Sequence, residues 1–336
     1  MKKIIKVFLM TLVILTACAK EEADFQDTIE NDEKITVRFS YHTQEVNTRA
    51  FFENNTSGEP WETEVATLDL FIMGTSKPYF NLHKSLTSEE IESKEVKIGL
   101  PESQIGKSLY FYAVANKEIE LPDEYGGLLG FIETDSPALY NGTFEEVTSR
   151  SLRPEGFVMS GYISTAKSSD GSITVVPIEL SRVVNKIAIK TEIAPTFSEF
   201  YNGGVIEVRN VTISNRPPIA YLFKQHNRYL DDYSYSHSQI PGVINGDYCS
   251  LFYCYEGLSK ATITLDCVFD EDGDLSTTSD QIPVSYTIPF NQGHKRNTYH
   301  RITATIKGLG GENVHTLFTG SEEWENSMDS NYILGL

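Results

Sequence analysis

Apolar and polar residues alternate with a period of two in short runs along most of the chain. Ile35, Val37, Phe39 and Tyr41 interleave with Thr36, Arg38, Ser40 and His42, which predicts a strand with one apolar face. Leu68, Leu70 and Ile72 repeat the pattern within 66–73. Further strands are predicted at 96–100, 109–116, 157–163, 173–180, 183–193, 205–214, 248–255, 261–269, 282–289 and 299–306. Residues 110–116 are apolar at nearly every position, so this strand should be buried on both faces. A short helix is predicted at 88–94, where Thr87 or Ser88 can cap and acids fill the first turn. Residues 122–153 read as turns with at most short helices. Short strands, frequent turn residues and little helix predict an all-β chain of two antiparallel β-sandwich domains in series. Their expected extents are 34–180 and 181–309, with a separate tail at 310–336.

The chain of 336 residues is 40% hydrophobic, ample for a core, and its length suits about two domains. With 28 Lys and Arg against 47 Asp and Glu, the net charge is −19. That balance argues against gripping phosphate backbones, so nucleic acid is not expected as a partner. The N-terminus departs from the acidic background. Lys2, Lys3 and Lys6 accompany an apolar run over 4–15 that is too short for a permanent bilayer span. The following Leu15-Thr16-Ala17-Cys18 resembles the bacterial lipobox. That resemblance implies removal of a signal peptide at 1–17, a diacylglyceryl group on the Cys18 thiol and an acylated new amine. Several acyl chains anchor stably where one is marginal. Cys18-Ala19-Lys20-Glu21-Glu22 resembles the tag that sends Bacteroidetes lipoproteins to the outer face of the outer membrane. Residues 21–33 carry seven acids and no base, so 18–33 also reads as a solvated acidic tether.

Beyond Cys18, Cys249, Cys254 and Cys267 remain, an odd number that cannot pair completely within the chain. Strands 248–255 and 261–269 read as a hairpin turning near 257–260, which would bring Cys249 close to Cys267. A disulfide there stays open beside the simpler reading of three buried thiols. Signatures for nucleophilic, zinc or nucleotide chemistry (GxSxG, HExxH, a Walker loop, GxGxxG) do not occur, so no enzyme activity and no cofactor are expected. The seven histidines are scattered and read as surface residues. Asp270-Glu271-Asp272-Gly273-Asp274 gathers carboxylates around a glycine turn, as a hard-cation loop does. It lacks the later glutamate and flanking helices of such loops, and a hairpin turn explains it more simply, so no metal is assigned. Tyr229, Tyr233 and Tyr235 mark a long tyrosine-rich loop that could stack on sugars.

Five segments together resemble the fimbrillin family of Bacteroidetes surface lipoproteins. They are Asn47-Thr48-Arg49-Ala50, the Ala-Val-Ala-Asn that ends at Asn116, Phe157-Val158-Met159-Ser160-Gly161, 180–187 (Leu-Ser-Arg-Val-Val-Asn-Lys-Ile), and 296–302 (Arg-Asn-Thr-Tyr-His-Arg-Ile). The resemblance implies two tandem transthyretin-like β-sandwich domains and polymerisation by donor-strand exchange. In that scheme a trypsin-like protease cuts between Arg49 and Ala50. The strand carrying Ile35, Val37, Phe39 and Tyr41 leaves, and a strand from another subunit's C-terminal tail fills the slot. The apolar runs that could donate here hold Val314, Leu317 and Phe318, and Tyr332, Ile333 and Leu334. Burying four apolar side chains contributes about 6–12 kcal/mol gross, so an emptied slot would strongly favour refilling. The implied partners are other fimbrial subunits, the processing protease, the outer membrane through the lipid, and a host or bacterial surface receptor. Two alternatives remain open: a fimbrial anchor that keeps its lipid and first strand, and a glycan-binding surface lipoprotein.

Overall fold

Strands form where the sequence alternates. The first half holds β1 (Lys34–Ser40), β2 (Leu68–Gly74), β3 (Asn81–Ser85), β4 (Glu95–Gly99), β5 (Ser108–Ala115), β6 (Ile132–Glu133), β7 (Met159–Ala166), β8 (Val175–Glu179) and β9 (Ser181–Arg182). The structure is a computed structural model, described here for residues 34–40, 60–77, 79–104, 106–120, 131–149, 152–166, 175–223, 235–257, 261–290, 295–310, 312–313 and 326–335. Two sheets, in the orders β4-β1-β8 and β3-β2-β5-β7-β9, pack face to face. Leu68, Leu70 and Ile72 of β2 and Leu109, Phe111 and Ala113 of β5 meet Ile35, Val96, Ile98, Val176 and Ile178 between them. The alternate residues Phe71, Met73, Tyr112 and Val114 enter a different core on the outer face. The expected burial of β5 on both faces follows from this position between two cores. The short helix α1 (Ser88–Ser93) starts where its cap predicts: Thr87 Oγ1 accepts from Glu90 N–H, and the Glu90 carboxylate accepts from Thr87 N–H.

The second half holds β10 (Val184–Ile193), β11 (Val205–Arg216), β12 (Ala220–Tyr221), β13 (Tyr235–Gln239), β14 (Gly242–Ile244), β15 (Asp247–Tyr255), β16 (Ala261–Asp270), β17 (Gln281–Phe290), β18 (Thr298–Ile306), β19 (Glu312–Asn313) and β20 (Asn326–Leu334). A six-stranded sheet, β14-β15-β10-β18-β20-β19, packs on a four-stranded one, β13-β11-β16-β17. Ile187, Ile189, Phe252 and Ile302 face Val208, Ile213, Ile263, Leu265 and Ile288. Most strand pairs are antiparallel, while β1–β8, β10–β18 and β18–β20 are parallel.

Two local expectations are overturned. Residues 247–255 and 261–270 do not form a hairpin: β15 lies between β10 and β14 in one sheet, and β16 lies between β11 and β17 in the other. Each strand already has two partners, and the connection crosses from one layer of the sandwich to the other. Cys249 shares strand parity with Leu251 and Tyr253, on the face away from the core that contains Cys267. The three cysteines are therefore free and buried. Burial pushes the Cys249 and Cys267 thiols up to about 12, which leaves them poor nucleophiles. The surface reading of the histidines fails at His300, which is buried, bonded to Thr298 and edge-on to Phe290. Burial lowers its pKa to about 3 and keeps it neutral.

Gly161 of β7 shows why that position takes no side chain. A Cβ there would lie 1.9 Å from the Glu179 carbonyl oxygen, where the chain passes from β8 to β9. Gly161→Ala should lower stability by about 1–3 kcal/mol, read as an earlier unfolding midpoint in urea. Gly310→Ala, which meets open space, should leave the midpoint nearly unchanged.

Candidate functional site

The first strand occupies the middle of its sheet. Residues 34–38 of β1 pair antiparallel with 95–99 of β4, and residues 36–40 pair parallel with 175–179 of β8. Among the described residues, β4 and β8 have no other strand partner. Every ladder hydrogen bond of this sheet therefore involves β1. Ile35 is 1% exposed and seated among Val96, Ile98 and Ile178, and Thr36 is buried as well. Val37 and Phe39 hold their place in the register through the backbone. The Arg38–Glu95 ion pair, at 3.0 Å, is largely exposed and contributes little. Tyr41, Arg49, Ala50 and Cys18 lie outside the described residues, as do Tyr229 and Tyr233.

At the other terminus, β20 lies in the chain's own six-stranded sheet. It pairs parallel with β18 over nine residues, Thr298 with Asn326 through Ile306 with Leu334. Tyr332 and Leu334 point into the core, while Ile333 is half-buried on the opposite face. Gly308 and Gly335 press backbone to backbone, since a Cβ on Gly335 would fall 1.7 Å from Gly308 O. Val314, Leu317 and Phe318 lie outside the described residues.

Four of the five segments behind the family resemblance meet where the two sandwiches touch. Asn116, at φ 61°, accepts from Ala66 N–H and donates to the carbonyls of Glu64 and Phe157. Arg182 donates to Glu62 O and to Asn297 Oδ1, both at 2.7 Å. Lys186 Nζ bonds Glu62 Oε1 at 2.7 Å and lies 5.0 Å from the Tyr299 ring centroid. Tyr253 Oη donates to the same carboxylate at 2.5 Å. Arg296 bonds Glu256 at 2.6 Å and the carbonyl of Leu222, to which Ser160 also donates. Around these polar contacts, Trp61, Tyr140, Phe157 and Tyr253 form an aromatic cluster, and β6 pairs with β12 across the two halves. Apart from the one ending at Asn116, whose bonds stay within the first half, these segments fasten the halves together. Glu62, which organises the buried charges, carried no sequence signal, because its partners lie more than a hundred residues away.

Tyr235, the described member of the tyrosine-rich loop, accepts a hydrogen bond from Asn141 Nδ2 at 3.0 Å and is half-buried. Asp270, Asp272 and Asp280 gather at the end of the β16–β17 hairpin, each with a carboxylate oxygen within 4.8 Å of the others'.

The paired sandwiches, with a first strand inserted between β4 and β8, define a recognisable fold. The chain is similar in structure to a "putative cell adhesion protein" of Bacteroides eggerthii (TM-score 0.55, 13% identity, 90% of this chain and 97% of that one). It is similarly like another from Parabacteroides distasonis (TM-score 0.53, 14% identity, 82% and 88%). A fimbrilin of Porphyromonas gingivalis aligns over 91% of this chain and 98% of its own, at 11% identity and TM-score 0.49. No family model matches the chain, and no curated protein matches it in sequence.

Burial pushes the Glu62 carboxyl upward, but the charges of Lys186 and Arg182 and the hydrogen bonds from Lys186 and Tyr253 outweigh it and leave its pKa below 4.5. Its contribution to stability is therefore complete above about pH 4.5 and is lost as the pH falls through the lower folded value. Glu62→Gln should cost about 3–5 kcal/mol at pH 7, because it leaves the buried Lys186 uncompensated. The variant's stability should also fall less steeply below pH 4.5 than the parent's, as measured by urea unfolding across pH.

Proposed function

We propose that this chain is the precursor of a cell-surface fimbrial subunit, exported as a lipoprotein through Cys18 and assembled by donor-strand exchange. The observation that carries the reading is the placement of β1 as the sole described strand partner of both β4 and β8. A protease cut between Arg49 and Ala50 would free that strand together with the lipid. Its loss would leave two facing rows of unpaired backbone donors and acceptors over an opened apolar core, which invites a strand from another chain. The fold likeness to cell adhesion proteins and the family resemblance of the sequence support the same reading.

The tail supplies the donor strand, from the run at 314–318 or the run at 332–334. The latter is held in its own sheet, where Tyr332 and Leu334 each contribute about 1.5–3 kcal/mol by burial. Holding the tail in its own sheet keeps it from pairing with other chains until an empty slot competes for it. The acidic surface keeps assembled subunits apart laterally. Glu62 ties the chain just beyond the cut to the second sandwich, so the remaining strands stay in place when β1 departs.

Trypsin-like digestion of the purified precursor should yield a new N-terminus at Ala50 and an oligomer ladder. Arg49→Ala should remain uncut and monomeric, and an excess of a peptide spanning 310–336 should shorten the ladder. A product that starts at Ala50 yet stays monomeric would overturn the reading, and a mature protein that keeps an acylated Cys18 and β1 would identify an anchor instead.

A further inference from the structure

We propose that Asp270, Asp272 and Asp280, at the end of the β16–β17 hairpin, form a calcium-binding site that braces this loop. Asp270 distinguishes this cluster from an ordinary acidic surface. Asp270 is the last residue of β16, paired with Val205 on one side and Gln281 on the other, and it is 0% exposed. Its Oδ2 accepts from Gln281 Nε2 at 3.3 Å, while its buried Oδ1 has no hydrogen-bond partner among the described residues. A buried carboxylate oxygen without a donor is costly unless a cation or a proton satisfies it.

The surroundings supply negative charge. No lysine, arginine or histidine among the described residues pairs with any of the three carboxylates.

The three donors are hard oxygens from different parts of the loop: one buried at the strand end, one exposed in the turn, one half-buried where β17 begins. Oxygens coordinated to one calcium ion at about 2.4 Å lie no more than about 4.8 Å apart, and each of the three carboxylates has an oxygen within that limit of the others. Magnesium dehydrates reluctantly and usually keeps several of its waters, so three converging carboxylates favour calcium. The turn folds against the neighbouring loop, since a Cβ on Gly273 would stand 2.8 Å from Gly203 O. A bound ion there would join β16, β17 and that loop at one end of the second sandwich. The proposal is independent of donor-strand exchange.

Isothermal titration of the purified full chain with calcium chloride, in metal-free buffer, tests the site. The expected result is one saturable site per chain, with a dissociation constant of about 0.1–1 mM, the range of extracellular calcium modules. A rise in unfolding temperature should follow occupancy, and magnesium at equal concentration should not reproduce it. Asp272→Asn, at an exposed position that cannot compromise folding through burial, and Asp280→Asn should each weaken binding at least tenfold. Absence of saturable binding, equal stabilisation by magnesium, or undiminished binding in both variants would overturn the proposal.

Discussion

The N-terminal sandwich depends on the double ladder of β1. A three-stranded sheet normally keeps one pair when an edge strand is lost. Here the strand between the other two comes first in the chain, and β4 and β8 have no described strand partner apart from it. Its antiparallel bonds to β4 and parallel bonds to β8 bring together segments about eighty residues apart. The backbone groups of both neighbours, and one wall of the core around Ile35, are satisfied through one short segment joined to the rest by residues 41–59. Under the proposed assembly, such a strand would be replaced by one of similar pattern from another chain. Ladder hydrogen bonds do not distinguish one chain from another.

The junction between the sandwiches constrains the molecule differently. Its contacts combine a large aromatic and aliphatic core with buried charges whose partners come from distant segments. A buried ion pair contributes little net stability compared with a well-packed apolar pair, but breaking one side of it is costly. Gly161 and Asn116 act within the first sandwich, one by admitting a close backbone approach and the other by bonding three backbone groups at a left-handed turn.

Much of this was legible along the chain. The alternation of Leu68, Leu70 and Ile72, the continuous apolar run ending at Ala115 and the capping box at Thr87 are local patterns, and local patterns report local structure. The first strand was legible for the same reason. Its position between β4 and β8 was not, because backbone pairing carries no side-chain code at that distance. The expected hairpin of residues 248–255 and 261–269 failed on this point: each strand was correctly placed, but adjacency in sequence does not decide which layer a strand joins. His300 was misread because a lone polar residue in an alternating strand does not announce which face is buried.

The amino-acid order thus determined by itself where most of the long strands lie, which of their faces are apolar, and where the short helix begins. Sheet membership, the insertion of β1, the seating of β20 in its own sheet, the partners of Glu62 and the convergence of Asp270, Asp272 and Asp280 were decided by the tertiary structure. The physical reason is one of range: side-chain periodicity follows from neighbouring residues, whereas hydrogen-bond partners, buried charges and clustered carboxylates arise from segments that meet only once the sandwiches have closed.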